Sequence, residues 1–443
     1  MIRYSLELAL HGLRRSPKST LLAVVTVALG LAASMTTLAL LHMLSADPLP
    51  GRSQHLYLAW VDTVQAKPDN YASLNGVTVE NYKRIKMADA QALLQAHRAV
   101  RQTALAGLGA EVSMVDGGHL QRDQLLLGTT SEFMPMMGLA LRYGRNWSAA
   151  EDAARAPVAV IDVELAKKLF GTGNAVGRSI RLDKAVFRVI GVSTPFSPSP
   201  HFYDLDRWVF SATHRESVFL PYAAALDAGI KLTGADECDA TATRKSLFDH
   251  DPAHCGWLSY WVELDTPAQV ADFRAYLSRY AREQHQLSGS PRPAASRLFS
   301  VSEWLTRQNV VPDNVRLNVW LAGSFLLLCM ANVAGLLTAR FLHRSSEIGI
   351  RRALGAPRRA IFAQHVLEAA AVSVLGGVLA WPLTLLGLWI LRKQEQGFTD
   401  MARLDPVMFG GLFALALAVG LLVGLLPAWR ASTVEPGLQV KSA

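Results

Sequence analysis

Three places in this 443-residue chain hold residue types that could do metal, nucleotide or binding chemistry. The first is the stretch bounded by Cys238 and Cys255, flanked and filled by Asp236, Glu237, Asp239, Asp249, His250, Asp251 and His254. A metal needs ligands at set spacings, and no HExxH or CxxC pattern occurs. Carboxylates of mixed spacing read as solvated surface, so no metal is expected. The second is Gly171-Thr-Gly-Asn-Ala-Val-Gly-Arg-Ser179, which has the glycines of a phosphate loop without their spacing and Arg178 in place of the lysine. It reads as a structural turn. The third is aromatic: Phe196, Phe202, Tyr203, Trp208 and Phe210, interleaved with Pro195, Pro198 and Pro200. Exposed together, they would form a surface for an apolar substrate or partner; turned inward, they would pack two subdomains. No Ser or Cys nucleophile is paired with a placed base. The sequence therefore predicts a protein that is not an enzyme and binds no cofactor of its own.

What positions these residues is a membrane plan. Residues 19–46, 317–339, 369–391 and 406–429 carry no Asp, Glu, Lys or Arg, and each run exceeds the roughly 20 residues needed to cross a bilayer as a helix. All four are predicted transmembrane helices. The first is too long for the apolar part of a signal peptide, and Leu44-Ser45-Ala46 makes a poor cleavage site, so it is read as an uncleaved anchor. The predicted order is a 1–18 segment, span 19–46, a large domain over 47–316, span 317–339, a loop over 340–368, span 369–391, a short loop over 392–405, span 406–429 and a tail over 430–443. This is a 1+3 arrangement around one soluble domain.

Arginine and lysine set the orientation. Arg3, Arg14, Arg15 and Lys18 precede the first span, and the 340–368 loop holds Arg340, Arg344, Arg351, Arg352, Arg358 and Arg359. Both termini and that loop should be cytoplasmic, with the 47–316 domain outside, in the periplasm of a two-membrane cell. The pieces 1–18, 340–368 and 430–443 together hold 12 Lys and Arg against 4 Asp and Glu. They account for the whole formal charge of +8. The basic balance therefore records membrane orientation, and no nucleic-acid partner is expected. In an oxidising compartment, Cys238 and Cys255 suggest a disulfide, worth about 3 kcal/mol in the chain-entropy account.

The spans hold no ionisable residue except His42, which speaks against a proton relay or charged pore. They do hold small residues at helical spacing: Thr26, Gly30 and Ser34; Ala331 and Gly335; Gly420 and Gly424. Such rows let helices approach closely, either within one chain or across a dimer. Pro382 should kink the third span.

The loop is the most informative segment. In Ser345 to Arg359, Ser345 or Ser346 can cap a helix, Glu347 can pair with Arg351, Gly355 suits the C′ position and Pro357 stops continuation. Ile350 and Leu354 share a face. Gly349 costs about 1 kcal/mol inside a helix unless something approaches closely. A short amphipathic cytoplasmic helix suits docking in a partner's groove. A second helix, 359–368, is predicted to enter the membrane.

Here a resemblance enters. Glu347-Ile348-Gly349-Ile350-Arg351-Arg352-Ala353-Leu354-Gly355-Ala-Pro-Arg-Arg, followed by Gln364 and Glu368, is similar to the signature of FtsX/MacB-type ABC transporter permeases. The ending Gly424-Leu-Leu-Pro-Ala-Trp-Arg-Ala, with Val434-Glu435-Pro436, resembles theirs as well. Gly144-Arg-Asn-Trp147, Pro157 to Ile161, Leu169-Phe-Gly171, Ala175-Val-Gly-Arg178 and Phe187 to Val192 resemble, in order, the MacB-type periplasmic core. Trp429 departs from the basic residue common in that family, and 236–257 looks like an insertion.

The resemblance implies a membrane α-helical protein with an α+β outer domain of two subdomains. It implies that Glu347 to Gly355 form a coupling helix on an ABC ATP-binding subunit, two copies of which carry ATP and Mg. It further implies a second permease, identical or homologous, and an inner-membrane location. A periplasmic adaptor and an outer-membrane channel are further expected partners. The implied function is to couple ATP hydrolysis elsewhere to motion of the outer domain, exporting or extracting a peptide, antibiotic or lipoprotein. A non-transporting FtsX-like mechanotransmitter acting on a periplasmic enzyme or sensor is the second reading.

Read on its own, the outer domain predicts strands at 158–161 and 186–192, a helix over 163–170 ended by Gly171, and a helix over 267–286 with Val270, Phe273, Leu277 and Tyr280 on one face.

Overall fold

The computed structural model describes residues 17–64, 84–115, 117, 120–204, 215–233, 237–238, 254–288, 293–311, 313–343, 357–393 and 406–433. Helix α1 (Pro17–Leu44) comes first. The elements that follow are β1 (Leu56–Val61), α2 (Met87–Ala96), β2 (Arg101–Met114), β3 (Leu120–Thr129), α3 (Phe133–Met137), β4 (Leu141–Gly144), α4 (Ala149–Ala153), β5 (Val158–Asp162), α5 (Val163–Phe170), β6 (Ser179–Leu182) and β7 (Ala185–Ser193). Next are β8 (Val218–Pro221), α6 (Tyr222–Asp227), β9 (Lys231–Leu232), β10 (Glu237–Cys238), β11 (Cys255–Gly256), β12 (Ser259–Glu263), α7 (Pro267–Ser288), β13 (Ser296–Ser300) and α8 (Val301–Arg307). Helices α9 (Asp313–His343), α10 (Arg358–Lys393) and α11 (Pro406–Thr433) complete the order. Two units result: Met1–Ser45 with Val311–Ala443, and Ala46–Val310.

In the second unit one mixed sheet runs β13-β1-β12-β2-β3-β8-β5-β7-β4, with β6 bridging β2 and β7 and β9 beside β2. The β3–β8 and β5–β7 pairs are parallel and the others antiparallel. Val-Ala-Val-Ile-Asp of β5 is buried at every position, as a strand with neighbours on both sides requires. Asp162 at its end caps α5 by accepting the Leu165 N–H (2.6 Å), and Gly171 closes that helix at φ +69°. Helix α7 buries Phe273, Leu277, Tyr280 and Ala281, the apolar face its periodicity predicts.

Gly144 and Gly191 show why glycine is needed where β4 meets β7. Gly144 sits at φ +72°, and a Cβ on Gly191 would lie 2.5 Å from the Arg145 carbonyl oxygen. Three apolar clusters fill the unit. One gathers Phe133, Phe202, Tyr203, Phe219, Trp261, Phe299 and Trp304. A second joins Trp60, Tyr260, Phe273 and Tyr280, and a third packs Ile161, Leu169, Ile180 and Phe187 under α5. Fully burying one such side chain contributes about 1.5–3 kcal/mol.

In the helical unit α1 and α9 run antiparallel. Ser34 Oγ donates to the Ala322 carbonyl (3.2 Å), a Cβ on Gly30 would lie 3.1 Å from Leu326 and Cys329, and Arg340 donates to Ser19 Oγ (2.6 Å) and Thr20 Oγ1 (2.8 Å). Among the described residues, three helices are long and apolar enough to cross a membrane, over Pro17–Leu44, Asp313–Arg340 and Arg358–Leu391. In α11 the apolar stretch among the described residues is the shorter Phe413–Leu425. Pro382 lies inside α10 without ending it, and the segment predicted as a separate helix over 359–368 is continuous with that helix.

Candidate functional site

The predicted coupling residues Glu347, Ile348, Gly349, Ile350, Arg351, Arg352, Ala353, Leu354 and Gly355 lie outside the described residues, and the structure reports on their flanks. Before the loop, Arg340 near the end of α9 is tied to the start of α1 through Ser19 and Thr20. After it, Arg358 and Arg359 open α10, both exposed. Two turns on, His365 and Glu368 turn inward, both about 5% exposed, with His365 Nδ1 3.7 Å from Glu368 Oε2 and Gln364 Nε2 3.5 Å from Oε1. Both motif residues Gln364 and Glu368 belong to that cluster.

Most of the small-residue positions pack against helices of their own chain. A Cβ on Gly420 would stand 2.7 Å from Ser373 Cβ and one on Gly424 2.6 Å from Ala369 Cβ, while Gly30 and Ser34 face α9. Thr26 donates to the Leu22 carbonyl of its own helix (2.8 Å). These glycines and the serine sit where α1 approaches α9 and where α11 approaches α10. Ala331 and Gly335, by contrast, are exposed on α9, with nothing within 4 Å of a Cβ at Gly335.

Of the two arrangements open to Phe196, Phe202, Tyr203, Trp208 and Phe210, an exposed surface or inward packing, the described positions take the second. Phe202 is 0% and Tyr203 2% exposed, and Phe196 packs against the same cluster. Trp261 Nε1 donates to the Tyr203 carbonyl (3.3 Å) and Trp304 Nε1 to that of Phe202 (3.2 Å), so the strap is stitched into the core by two indoles. Burying several rings stabilises far more than exposing them, which decides between the two arrangements. Trp208 and Phe210 lie outside the described residues.

Beside this strap is a polar cluster that sequence reading missed. Arg84 Nη2 meets Asp204 Oδ1 at 2.9 Å and Arg84 Nη1 bonds Ser259 Oγ, all in the interior. Tyr203 donates to Glu216 Oε2 (2.9 Å), whose other oxygen lies 3.3 Å from His201 Nε2. The alternation of ionisable and aromatic types in His201-Phe-Tyr-Asp204 is the one local signal of it; Arg84 is 120 positions away.

Elsewhere the electrostatics is structural. A bidentate bond from Arg145 (2.7 and 2.8 Å), aided by the Ser148 N–H, holds the Glu151 carboxyl down to about 2. Burial pushes Asp152 up against its bonds from the Ser131 N–H and the Trp147 indole, and burial likewise raises Asp162 against the Leu165 N–H and Arg215. Cys238 and Cys255, opposite each other in the β10–β11 ladder, form a disulfide. Most of the acidic and histidine residues around them lie outside the described residues; among those described, no group of three His, Cys, Asp or Glu is placed to hold a metal. Gly171 to Ser179 forms turns, with Asn174 Oδ1 accepting the Val176 N–H (3.2 Å) and Gly177 at φ +85°.

Against known families, the profile of the MacB-like periplasmic core domain matches residues 20–280, and that of the FtsX-like permease C-terminal region matches 319–436. The chain belongs to the MacB-like, FtsX-like permease family. Among similar proteins, the macrolide export ATP-binding/permease protein MacB of Bdellovibrio bacteriovorus is 24% identical over 312 residues, 70% of this chain and 43% of that protein. The pyoverdine export ATP-binding/permease protein PvdT of Pseudomonas aeruginosa is 26% identical over 72% of this chain and 42% of its own length. A MacB of Rhodopirellula baltica is 23% identical over 98% of this chain and 61% of its own length. This permease chain thus spans between about two fifths and three fifths of those relatives. The periplasmic region of MacB from Actinobacillus actinomycetemcomitans matches at TM-score 0.37 and 16% identity, covering 58% of this chain and 93% of that one. The extracellular domain of the transporter YknZ from Gram-positive bacteria matches at TM-score 0.33 and 14% identity, covering 55% of this chain and 99% of that one.

Proposed function

We propose that this chain is the membrane-spanning permease subunit of a MacB-type ABC transporter, which transmits ATP-driven motion from a partner to its outer domain. The observation that carries this reading is the order of the two family matches, a periplasmic core followed by a permease end that contains the Glu347–Gly355 loop. The curated relatives are named as ATP-binding/permease proteins. Nucleotide hydrolysis is assigned to an ABC ATP-binding partner subunit with bound ATP and Mg, and these residues are assigned no catalysis and no cofactor.

In this reading there are four spans in a 1+3 arrangement, set in the inner membrane, with the unit Ala46–Val310 in the periplasm. Two permeases, identical or homologous, pair over two ATP-binding subunits, and an adaptor and outer-membrane channel complete an export path. Closure of the ATP-binding subunits moves the loop, and the loop moves α9 and α10, to which it is joined directly. The moved substrate is amphipathic: a peptide, antibiotic or lipoprotein.

The test is co-purification. Replacing Ile350 and Leu354 with Asp should abolish recovery of the ABC ATP-binding subunit while membrane insertion persists. Unchanged recovery would remove the coupling assignment.

A further inference from the structure

We propose that the turn joining α5 to β6, with the strand ends beside it, is a docking surface for an acidic segment of a partner protein. This goes beyond the ATP-coupled reading and stands without it. Tyr143 and Val176 are among the few large apolar side chains exposed in this part of the sheet, at 36% and 40%. They meet around one turn: a Cβ on Gly144 would lie 2.9 Å from Val176 Cγ2, and one on Gly173 3.9 Å from Tyr143 Cε2. Each nearby ring carries a guanidinium, Arg142 at 5.7 Å from the Tyr143 centroid and Arg178 at 5.2 Å from that of Phe170. The Lys167 stem passes Gly173 at 3.9 Å from the same built position, and Arg188 lies opposite Ser179 in the β6–β7 ladder.

Charge decides what the surface would take. Among the described residues, Arg142, Lys167, Arg178 and Arg188 have no carboxylate within ion-pair distance, and all four are exposed. The carboxylates of the same stretch are already engaged. Glu151 binds Arg145, Asp152 takes the Ser131 and Trp147 N–H groups, Asp162 and Glu164 share Arg215, and Asp183 accepts the Glu111 N–H. The patch is therefore an unneutralised basic rim around an apolar centre. A guanidinium held on a ring has one face dried and its N–H fork turned outward, which suits bidentate capture of a carboxylate. Tyr and Arg are also the residue types that dominate the energetics of protein interfaces. A bilayer is the poorer match: two half-exposed side chains on strand and turn offer no continuous apolar face to insert.

The probe is a fluorescent peptide of repeating Asp-Phe-Glu-Leu, titrated by anisotropy into the full chain in a zwitterionic detergent. Binding is expected at low salt and should fade as salt rises. Arg142→Glu with Arg178→Glu should weaken it by about tenfold or more, whereas Arg279→Glu, the same kind of charge reversal on exposed α7, should leave it unchanged. Should the double reversal disturb folding, as read by thermal unfolding, Arg142→Gln with Arg178→Gln carries the same expectation. Equal binding by the double variant, equal loss in Arg279→Glu, or no binding of the peptide at low salt would overturn the proposal. Displacement of the peptide by micellar phosphatidylglycerol would overturn it too, in favour of a lipid surface.

Discussion

A methyl group on Gly424 of α11 would stand 2.6 Å from Cβ of Ala369 on α10, too close for any side chain to fit without moving a helix. The same contact recurs one turn earlier, where Gly420 faces Ser373 at 2.7 Å. Gly424→Val should therefore force the pair apart and lower the detergent melting temperature of the full chain, at the overpacking cost of about 1–3 kcal/mol. Gly335→Ala, with open space around it, should leave that temperature unchanged or slightly higher.

The Arg84–Asp204 pair is buried at 5% and 0% side-chain exposure, so removing one partner takes an ion-pair contact from a charge held in the interior. Arg84→Met alone should cost about 3–5 kcal/mol in denaturant unfolding of the outer unit. Adding Asp204→Leu should restore part of the loss. A double variant no better than the single one would show that Asp204 answers mainly to other groups.

The Cys238–Cys255 bond closes a sequence separation of 17. Cys255→Ser, or reduction of the wild type, should lower stability by about 3 kcal/mol on the chain-entropy account. Urea titration with and without reductant reads the difference.

Glu151 supplies a pH signature. Its folded carboxyl is held at about 2, below its ordinary value, by Arg145. A depressed carboxylate stabilises the fold above the unfolded pKa, near pH 4.5, and that contribution is lost as pH falls toward 2. Glu151→Gln should flatten the stability profile between pH 5 and about 2, most simply followed by thermal melts across that range. The wild type and variant should converge at the acid end.

How much of this was legible beforehand depends on how local each cause is. The long apolar helices announce themselves because a run without charge needs only its own residues to be read. Helix α5 was readable from Gly171 at its end, though its Asp162 cap was not, and α7 from the spacing of Phe273, Leu277 and Tyr280. The aromatic strap was visible as composition, but its burial is decided by Trp261 and Trp304, some 60 and 100 positions further on. The Arg84 cluster has the same difficulty. The small-residue rows showed where helices approach without saying whose helices, and only the partners Ser373, Ala369, Leu326 and Cys329 resolve that. Val176, half of the Tyr143–Val176 patch, hid inside a run that looked like a failed phosphate loop, and Tyr143 lies some thirty positions before it.

Strand β2 ties these observations to movement. It is a single fourteen-residue strand whose first five residues pair with β12 and whose remainder pairs with β3, β6 and β9. Both halves of the sheet hang from one continuous beam. No loop separates the halves along β2, so a change of twist in one half is carried to the other by the strand itself. The register slip between Ala110 and Val112, where the β2–β3 ladder is interrupted, is the place along that beam where added twist is most readily taken up.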